Sequence, residues 1–144
     1  MKTWNSSVAK AAWVALVATA PLAALGAGQV VAVPRAELQW QDAGIPGVAV
    51  APVSGDMKKG PSRFYLKYPV GLVTPSHHHS ADHYATVVSG HITLSAGGKD
   101  HKLGPGSYFA LTGKMPHVAR VEGKEEAVFF IQANGPWDVV PEKK

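Results

Sequence analysis

Glycine and proline recur so often along this chain that they would interrupt any long regular helix. They supply 15 and 11 of the 144 residues, about 18% of the chain against a background of roughly 12%. Past residue 28 no stretch of ten or more residues shows the 3.6-residue hydrophobic period of an amphipathic helix. Hydrophobic residues make up 46% of the chain and charged residues 17%, enough apolar material for one core in a chain of this length. We therefore predict a single all-β domain with many turns.

Short strand-like segments alternate with turn signals after residue 45. Turns are predicted at Ser89-Gly90, at 96–100 and at 104–106, where glycine and proline concentrate. About eight or nine short strands with almost no helix predict a jelly roll, the double-sheet form of an all-β barrel. The predicted strands cover residues 48–53, 63–68, 83–89, 91–95, 101–103, 107–111, 118–122 and 127–132.

The predicted strand at 63–68 has two different faces. Arg63, Tyr65 and Lys67 share one face, and apolar or aromatic residues share the other. A polar face exposed to solvent is the simpler interpretation. The alternative is that this face lines the mouth of a barrel and binds an anionic substrate.

The first 28 residues have the layout of a secretory signal. Lys2 and Lys10 precede an uncharged, alanine-rich stretch at 11–27, and small residues near 24–28 suit cleavage. As a membrane span this stretch is short, weakly apolar and broken by Pro21. We predict a cleaved signal peptide at 1–28, with a retained anchor or a buried helix as alternatives. An N-terminal extension follows at 29–45 and a globular domain at 46–144. The mature protein would be periplasmic or secreted, without stable membrane insertion.

The absence of cysteine and the small net charge exclude several classes of function. With no cysteine the chain has no disulfide, thiolate zinc site, iron–sulfur cluster or cysteine nucleophile. The net charge of +4 falls to +2, 12 basic against 10 acidic residues, once Lys2 and Lys10 are removed. No basic cluster is interleaved with aromatic residues, so we expect no nucleic-acid partner. The sequence also lacks the Gly-x-Ser-x-Gly motif of serine hydrolases.

Four of the seven histidines fall within residues 77–83. On a strand, His77 and His79 point to the same face about 6.6 Å apart, which allows both to reach one metal ion, while His78 points the other way. His83 can join them only if residues 80–82 turn the chain back as a hairpin. His117 lies 34 residues beyond His83, so only the fold can bring it to the same place.

The spacing of these histidines resembles the first motif of the cupin superfamily. The resemblance includes Gly71, His77, His79 and Gly90, and departs at His83, which stands where a glutamate is usual. In isolation such a histidine triplet could equally be a solvated loop. His78, like His91 and His101, is interpreted as a surface or turn residue.

A second stretch is similar to the second cupin motif. Gly106 and His117 are kept, whereas Thr112 and Lys114 replace the usual proline and glycine, and Val121 stands where an asparagine is usual. The chain also looks like a group of small, secreted, single-domain cupins at 53–56, 87–90 and 135–137, so the resemblance covers about residues 45–140.

The resemblance implies a double-stranded β-helix that holds one divalent transition metal. The implied ligands are His77, His79, His83 and His117, with His83 either a ligand or a neighbour of the ion. Imidazole ligands suit Zn, Fe, Ni or Cu, and Mn is also possible. A neutral histidine in place of a carboxylate makes the centre more positive, which favours an anionic small molecule. From the ordinary imidazole pKa we expect metal affinity to fall through about pH 6.

The leading functional hypothesis is a small metalloenzyme acting on an oxygen-bearing molecule, of dioxygenase, isomerase or lyase type. With the usual glutamate gone, a general base would have to come from Tyr65, Tyr84 or the metal centre itself. The alternatives are a non-catalytic module that binds a metal or small ligand, and a scaffold with an empty site. Asp82 is a candidate to orient a ligand imidazole, and Trp137 to plug one end of the barrel. Because cupins often pair through edge strands, a homodimer is also expected.

Overall fold

A computed structural model describes residues 28–143 of the chain. The predicted signal peptide therefore lies outside the described residues, apart from Gly28. The chain divides into two units, Met1–Val31 and Ala32–Lys144, and everything below concerns the second. Within the described residues, no helix combines the length and the apolar character that crossing a membrane requires.

The described residues form short strands, with one turn of 3-10 helix at Arg35–Glu37. The strands are β1 (Gln41–Asp42), β2 (Ala49–Gly55), β3 (Ser62–Tyr68), β4 (His77–His78), β5 (His83–Ser89), β6 (His91–Ala96), β7 (Lys99–Leu103), β8 (Tyr108–Leu111), β9 (His117–Glu122), β10 (Ala127–Ala133) and β11 (Val140–Pro141). All eight predicted strands are present, with ends shifted by at most two residues. The two-residue strands β1, β4 and β11 were not predicted, because two residues carry no readable alternation.

The strands form two sheets that enclose one core. The first sheet has the order β1-β2-β3-β10-β5-β8 and the second the order β11-β4-β9-β6-β7, and all pairings are antiparallel. Both sheets supply apolar side chains to one buried cluster, in which Phe64, Val87, Ile92 and Phe129 are the largest fully buried side chains. The predicted all-β jelly roll is confirmed.

Strand β3 shows which face of the alternating segment is internal. Phe64 and Leu66 are buried in the core, whereas Arg63 is exposed. On the outer face Lys67 lies 4.7 Å from the ring centre of Trp40. The polar face is therefore the outer one, and the alternative that it lines the barrel mouth is wrong.

The two glycine-containing turns at Ser89-Gly90 and Gly97-Gly98 make different kinds of connection. Gly97 and Gly98, both at positive φ, close a true hairpin in which β6 pairs with β7, as a two-residue turn of the type I′ class requires. Gly90 instead connects β5 in the first sheet to β6 in the second. This crossing returns the chain to the sheet that holds His77 and His117, after the turn at 80–82 has carried His83 to the other sheet.

Candidate metal centre

Three histidines from distant parts of the chain meet inside the barrel. His77 on β4 and His117 on β9 are direct partners across the two strands, and His79 follows β4 on the same face as His77. The three side chains offer ring nitrogens that all lie within 4.8 Å of one another. The exposed fraction is 3% for His77, 5% for His79 and 6% for His117, so the three side chains face the interior of the barrel and not solvent.

His83 approaches this group from the other sheet. It is the first residue of β5 and is 3% exposed. Its ring centre lies 4.6 Å from that of His79 and 6.3 Å from that of His117, which leaves it beside the three-histidine group. The predicted hairpin at 80–82 is wrong, because β4 pairs with β9 and β11 while β5 pairs with β10 and β8. The turn nevertheless returns His83 to His79 by crossing between the sheets.

The outer nitrogens of the three grouped histidines are all held by backbone carbonyls. His77 Nδ1 donates to the Pro75 carbonyl at 2.8 Å and His117 Nδ1 to the Met115 carbonyl at 3.1 Å. His79 Nδ1 donates to the Asp138 carbonyl. A carbonyl only accepts, so each Nδ1 carries the proton and each Nε2 keeps a free lone pair. This is the tautomer in which histidine binds a metal through Nε2.

His83 differs from the other three in its hydrogen bonding. Its Nδ1 is buried without a hydrogen-bond partner of good geometry in the described part of the chain, although the backbone of Ala81 lies close enough to raise the pKa of the ring against the effect of burial. Buried polar atoms nearly always have a partner, and an orphaned imidazole nitrogen beside three oriented histidines is the kind of atom that a metal ion or a small polar ligand satisfies. Ligation by His83 stays a prediction.

Burial favours the uncharged form of His79, His83 and His117. It lowers the pKa of His79 to about 3, with the neighbouring His83 adding to the effect. It likewise lowers the pKa of His83 and that of His117 to about 4. Charged imidazoles cost free energy in a buried space and repel one another. These three imidazoles are therefore in the neutral form that binds a metal near pH 7, and the expected loss of metal in acid stays a prediction.

The same lowered pKa values make the metal-free protein less stable in mild acid. A histidine with a lower pKa in the folded state than in the unfolded chain binds fewer protons when folded. Stability should therefore fall as the pH drops below about 6.5, by up to about 1.4 kcal/mol per pH unit for each such group, until the folded pKa values are passed. Urea unfolding of metal-free protein at pH 7, 6 and 5 measures this slope. His79→Gln should reduce the slope and His101→Gln should keep it; equal stability at the three pH values would contradict the prediction.

An apolar cavity of about 470 Å³ leads to the histidines from outside. His77 and His79 line it, together with mainly aliphatic side chains such as Val48, Val50 and Leu72. A much smaller internal cavity of about 20 Å³ is lined by His79, His83 and His117 among apolar core residues. Such a volume holds about one water-sized molecule. The histidines thus lie between the larger cavity, which has room for a small-molecule substrate, and the smaller one, which has room for a water molecule.

Trp137 packs directly on the cluster. Its ring stacks on His79 with centres 4.0 Å apart and planes 24° apart, and its edge meets His83 at 5.0 Å and Phe64 at 4.9 Å. It lines both cavities. The predicted plug is thus also a wall of the histidine site, which the sequence did not reveal because Trp137 lies 58 positions after His79.

Other candidates from the sequence lie elsewhere. Tyr65 and Tyr84 alternate with buried residues and point away from the core, so neither can serve as the general base. The tyrosine at the cavity is Tyr68, and burial raises the pKa of its hydroxyl to about 12, which makes it a hydrogen-bond donor and not a base.

Asp82 does not orient a histidine through its carboxylate, which accepts a hydrogen bond from the Gly113 backbone at 2.8 Å. His91 and His101 are exposed. His78 points away from the cluster and pairs with Glu142 at 2.5 Å.

The arrangement fits a divalent transition metal. Nitrogen donors that are neutral, buried and oriented match Zn, Fe, Ni, Cu or Mn, and they suit the hard ions Mg and Ca poorly. His77, His79 and His117 would hold the ion, and His83 is placed to join them. Three protein ligands leave a position open even in a tetrahedral site, and four leave positions open only when the ion takes five or six ligands.

Comparisons with known proteins agree with this fold. A family model described as a cupin domain matches residues 64–132. No curated protein sequence matches the chain.

Three solved structures illustrate the structural likeness. KdgF from Halomonas sp. is 23% identical with a TM-score of 0.60, covering 71% of this chain and 93% of its own. The polyketide cyclase RemF from Streptomyces resistomycificus is 17% identical with a TM-score of 0.66, covering 81% and 87%. The DMSP lyase DddQ from Ruegeria pomeroyi DSS-3 is 20% identical with a TM-score of 0.61, covering 76% and 64%. At these identities the likeness establishes the fold.

Proposed function

The chain belongs to the cupin superfamily, and we propose that it is a small metalloenzyme acting on an oxygen-bearing molecule. The observation that carries this proposal is the hydrogen bonding of the three grouped histidines. Each ring is fixed by a backbone carbonyl on its outer side, so three lone pairs converge without any rearrangement. A purely structural histidine cluster has no need for three matched tautomers.

The cavity supports a substrate with an apolar body. Its lining is mainly aliphatic, with Tyr68, Thr74 and Asp138 as the polar groups beside the histidines. Among the described residues no lysine or arginine lines it, so an anionic substrate would depend on the ion itself for its counter-charge. The substrate class we favour is a mainly apolar molecule with one oxygen-bearing group near the histidines.

The residues of the chain have separate roles in this proposal. His77, His79 and His117 hold the ion, and His83 joins them or contacts its ligand. When bound, the ion supplies Lewis-acid or redox chemistry to an oxygen atom of the substrate. Tyr68 keeps its proton at neutral pH and can donate a hydrogen bond to that oxygen. Trp137 and the aliphatic wall exclude water, which strengthens these polar interactions.

A non-catalytic ligand-binding cupin is the second candidate. It is favoured by the shortage of proton-transfer groups, since Asp138 is the single carboxylate among the described residues that line the cavity and already accepts a hydrogen bond from the Ser80 backbone. Catalysis is supported instead by the similar structures named as a cyclase and a lyase. We also propose, from the sequence, a periplasmic or secreted location and a homodimer.

A blocked cavity separates the two candidates. Ile45 lines the cavity at 41% exposure, and Val33 has the same exposure but does not line it. In the metal-loaded protein Ile45→Trp should abolish turnover of a panel of oxygenated small molecules without reducing metal content, while Val33→Trp should leave both unchanged. Ligand binding without turnover in the wild type, detected by calorimetry, would support the second candidate. A wild type that holds no metal by elemental analysis would overturn the metalloenzyme proposal.

A further inference from the structure

The last residues of the chain are tied to the strand that carries two of the histidines. We call residues 134–142 the C-terminal segment. Its strand β11 pairs with β4, with Val140 opposite His78 and Pro141 opposite His77. The Glu142 side chain pairs with His78 on the outer face. The segment therefore forms the edge strand beside the histidine strand.

Asp138 is where this segment touches the metal centre. Its carbonyl accepts the hydrogen bond from His79 Nδ1, and its carboxylate Oδ1 accepts one from the Ser80 backbone at 2.8 Å. One residue thus binds the ring of His79 and the backbone immediately after it. His77 and His117 have no such dependence, because their acceptors Pro75 and Met115 are two residues away in their own loops.

His79 is thus the grouped histidine whose ring is oriented by a distant part of the chain. It also lies just after the end of β4, so its backbone is not fixed by the hydrogen bonds that join β4 to its neighbouring strands. On its other side the ring is stacked by Trp137, the neighbour of Asp138. The geometry of His79 depends on residues 137 and 138 holding their place.

We propose that Asp138 is the positioning residue of the metal centre: its carboxylate holds the C-terminal segment against Ser80, and its carbonyl then fixes the tautomer and orientation of His79. This inference rests on the proposed metal-binding function and adds a residue that acts through His79. Trp137, Asp138 and Val139 also line the outer cavity, so the segment that orients a ligand also shapes the substrate space.

The test compares Asp138→Ala with Asp138→Asn. Asparagine keeps an oxygen acceptor for the Ser80 N–H, whereas alanine removes it. Asp42→Ala is the matched control, since Asp42 Oδ1 accepts a backbone hydrogen bond from Gly44 at the same 2.8 Å away from the histidines. Melting temperatures measured alongside identify any variant that is not folded.

Two readouts follow the orientation of His79. In metal-free protein, ¹⁵N NMR of the histidine side chains should show the Nδ1–H tautomer for His79 in the wild type, Asp138→Asn and Asp42→Ala, and a mixture of tautomers in Asp138→Ala. In Co²⁺ titrations followed by visible absorption, Asp138→Ala should bind about 10-fold more weakly, the lower end of what loss of an outer hydrogen-bond partner costs, with an altered spectrum. Asp138→Asn should match the wild type.

The two readouts distinguish failure of this inference from failure of the proposed function. An Asp138→Ala protein with the wild-type tautomer of His79 overturns the positioning role, whether or not cobalt binds. Equal damage in Asp138→Asn and Asp138→Ala also overturns it, because the acceptor would then be irrelevant. If the wild type binds no cobalt, the metal proposal fails, and the tautomer measurement alone decides the role of Asp138.

Discussion

Replacing His117 with alanine should leave the protein folded but unable to retain a metal ion. The imidazole is one of three whose nitrogens lie within 4.8 Å of one another, and the remaining histidine of the cluster, His83, approaches from the other sheet with its ring centre 6.3 Å from that of His117. Removing the hydrogen-bond partner of a metal-binding histidine weakens metal affinity about 10–100-fold. Removing the ligand itself should therefore weaken metal affinity more than about 100-fold. Elemental analysis and competition with a chromogenic chelator measure the change in metal content and affinity.

The fold should survive this change because His117 contributes to β9 through its backbone. Its pairing with β4 and with Ala96 of β6 does not need the side chain. His77→Ala should behave like His117→Ala, and His101→Ala, an exposed histidine on β7, should bind like the wild type. Stoichiometric metal in both His77→Ala and His117→Ala would show that the ion is held elsewhere.

Residue spacing alone predicts only part of the centre. His77 and His79 are two residues apart, so the strand period alone places them on one face. His117 has no such local relation, and the resemblance to the cupin motifs identified it. The structure brings it in through a direct pairing with His77.

What the sequence did not reveal depends on contacts between distant segments. Asp138 reaches His79 through a backbone carbonyl, and every residue type has a carbonyl, so no side-chain signal marks it. Strand β4 is two residues long, which is too short to show the alternation of apolar and polar residues by which a strand is predicted. Ser89-Gly90 has the composition of a hairpin turn, yet it crosses between sheets, because β5 and β6 each pair with strands from elsewhere in the chain.

That crossing gives the second large prediction: Gly90→Ala should unfold or strongly destabilise the domain. Gly90 has a φ of +73°, and a Cβ there would lie 2.3 Å from the Glu126 carbonyl oxygen and 2.7 Å from the Ala127 Cα. Both are backbone atoms at the start of β10, the strand that pairs with β3 and β5. Relief requires moving a central strand, so we expect a loss of about 4 kcal/mol or more, measured by urea unfolding.

Gly98→Ala separates this steric clash from the cost of positive φ alone. Gly98 has a φ of +74°, but a Cβ added there would meet no heavy atom of the described residues within 4 Å beyond its chain neighbours. Alanine at this position should therefore cost only the conformational strain of about 1–2 kcal/mol. Similar losses for the two variants would mean that β10 yields easily and that the crossing is not fixed by close packing. A much larger loss at Gly90 would mean that the connection between β5 and β6 passes so close to the backbone of β10 that only a residue without a side chain fits there.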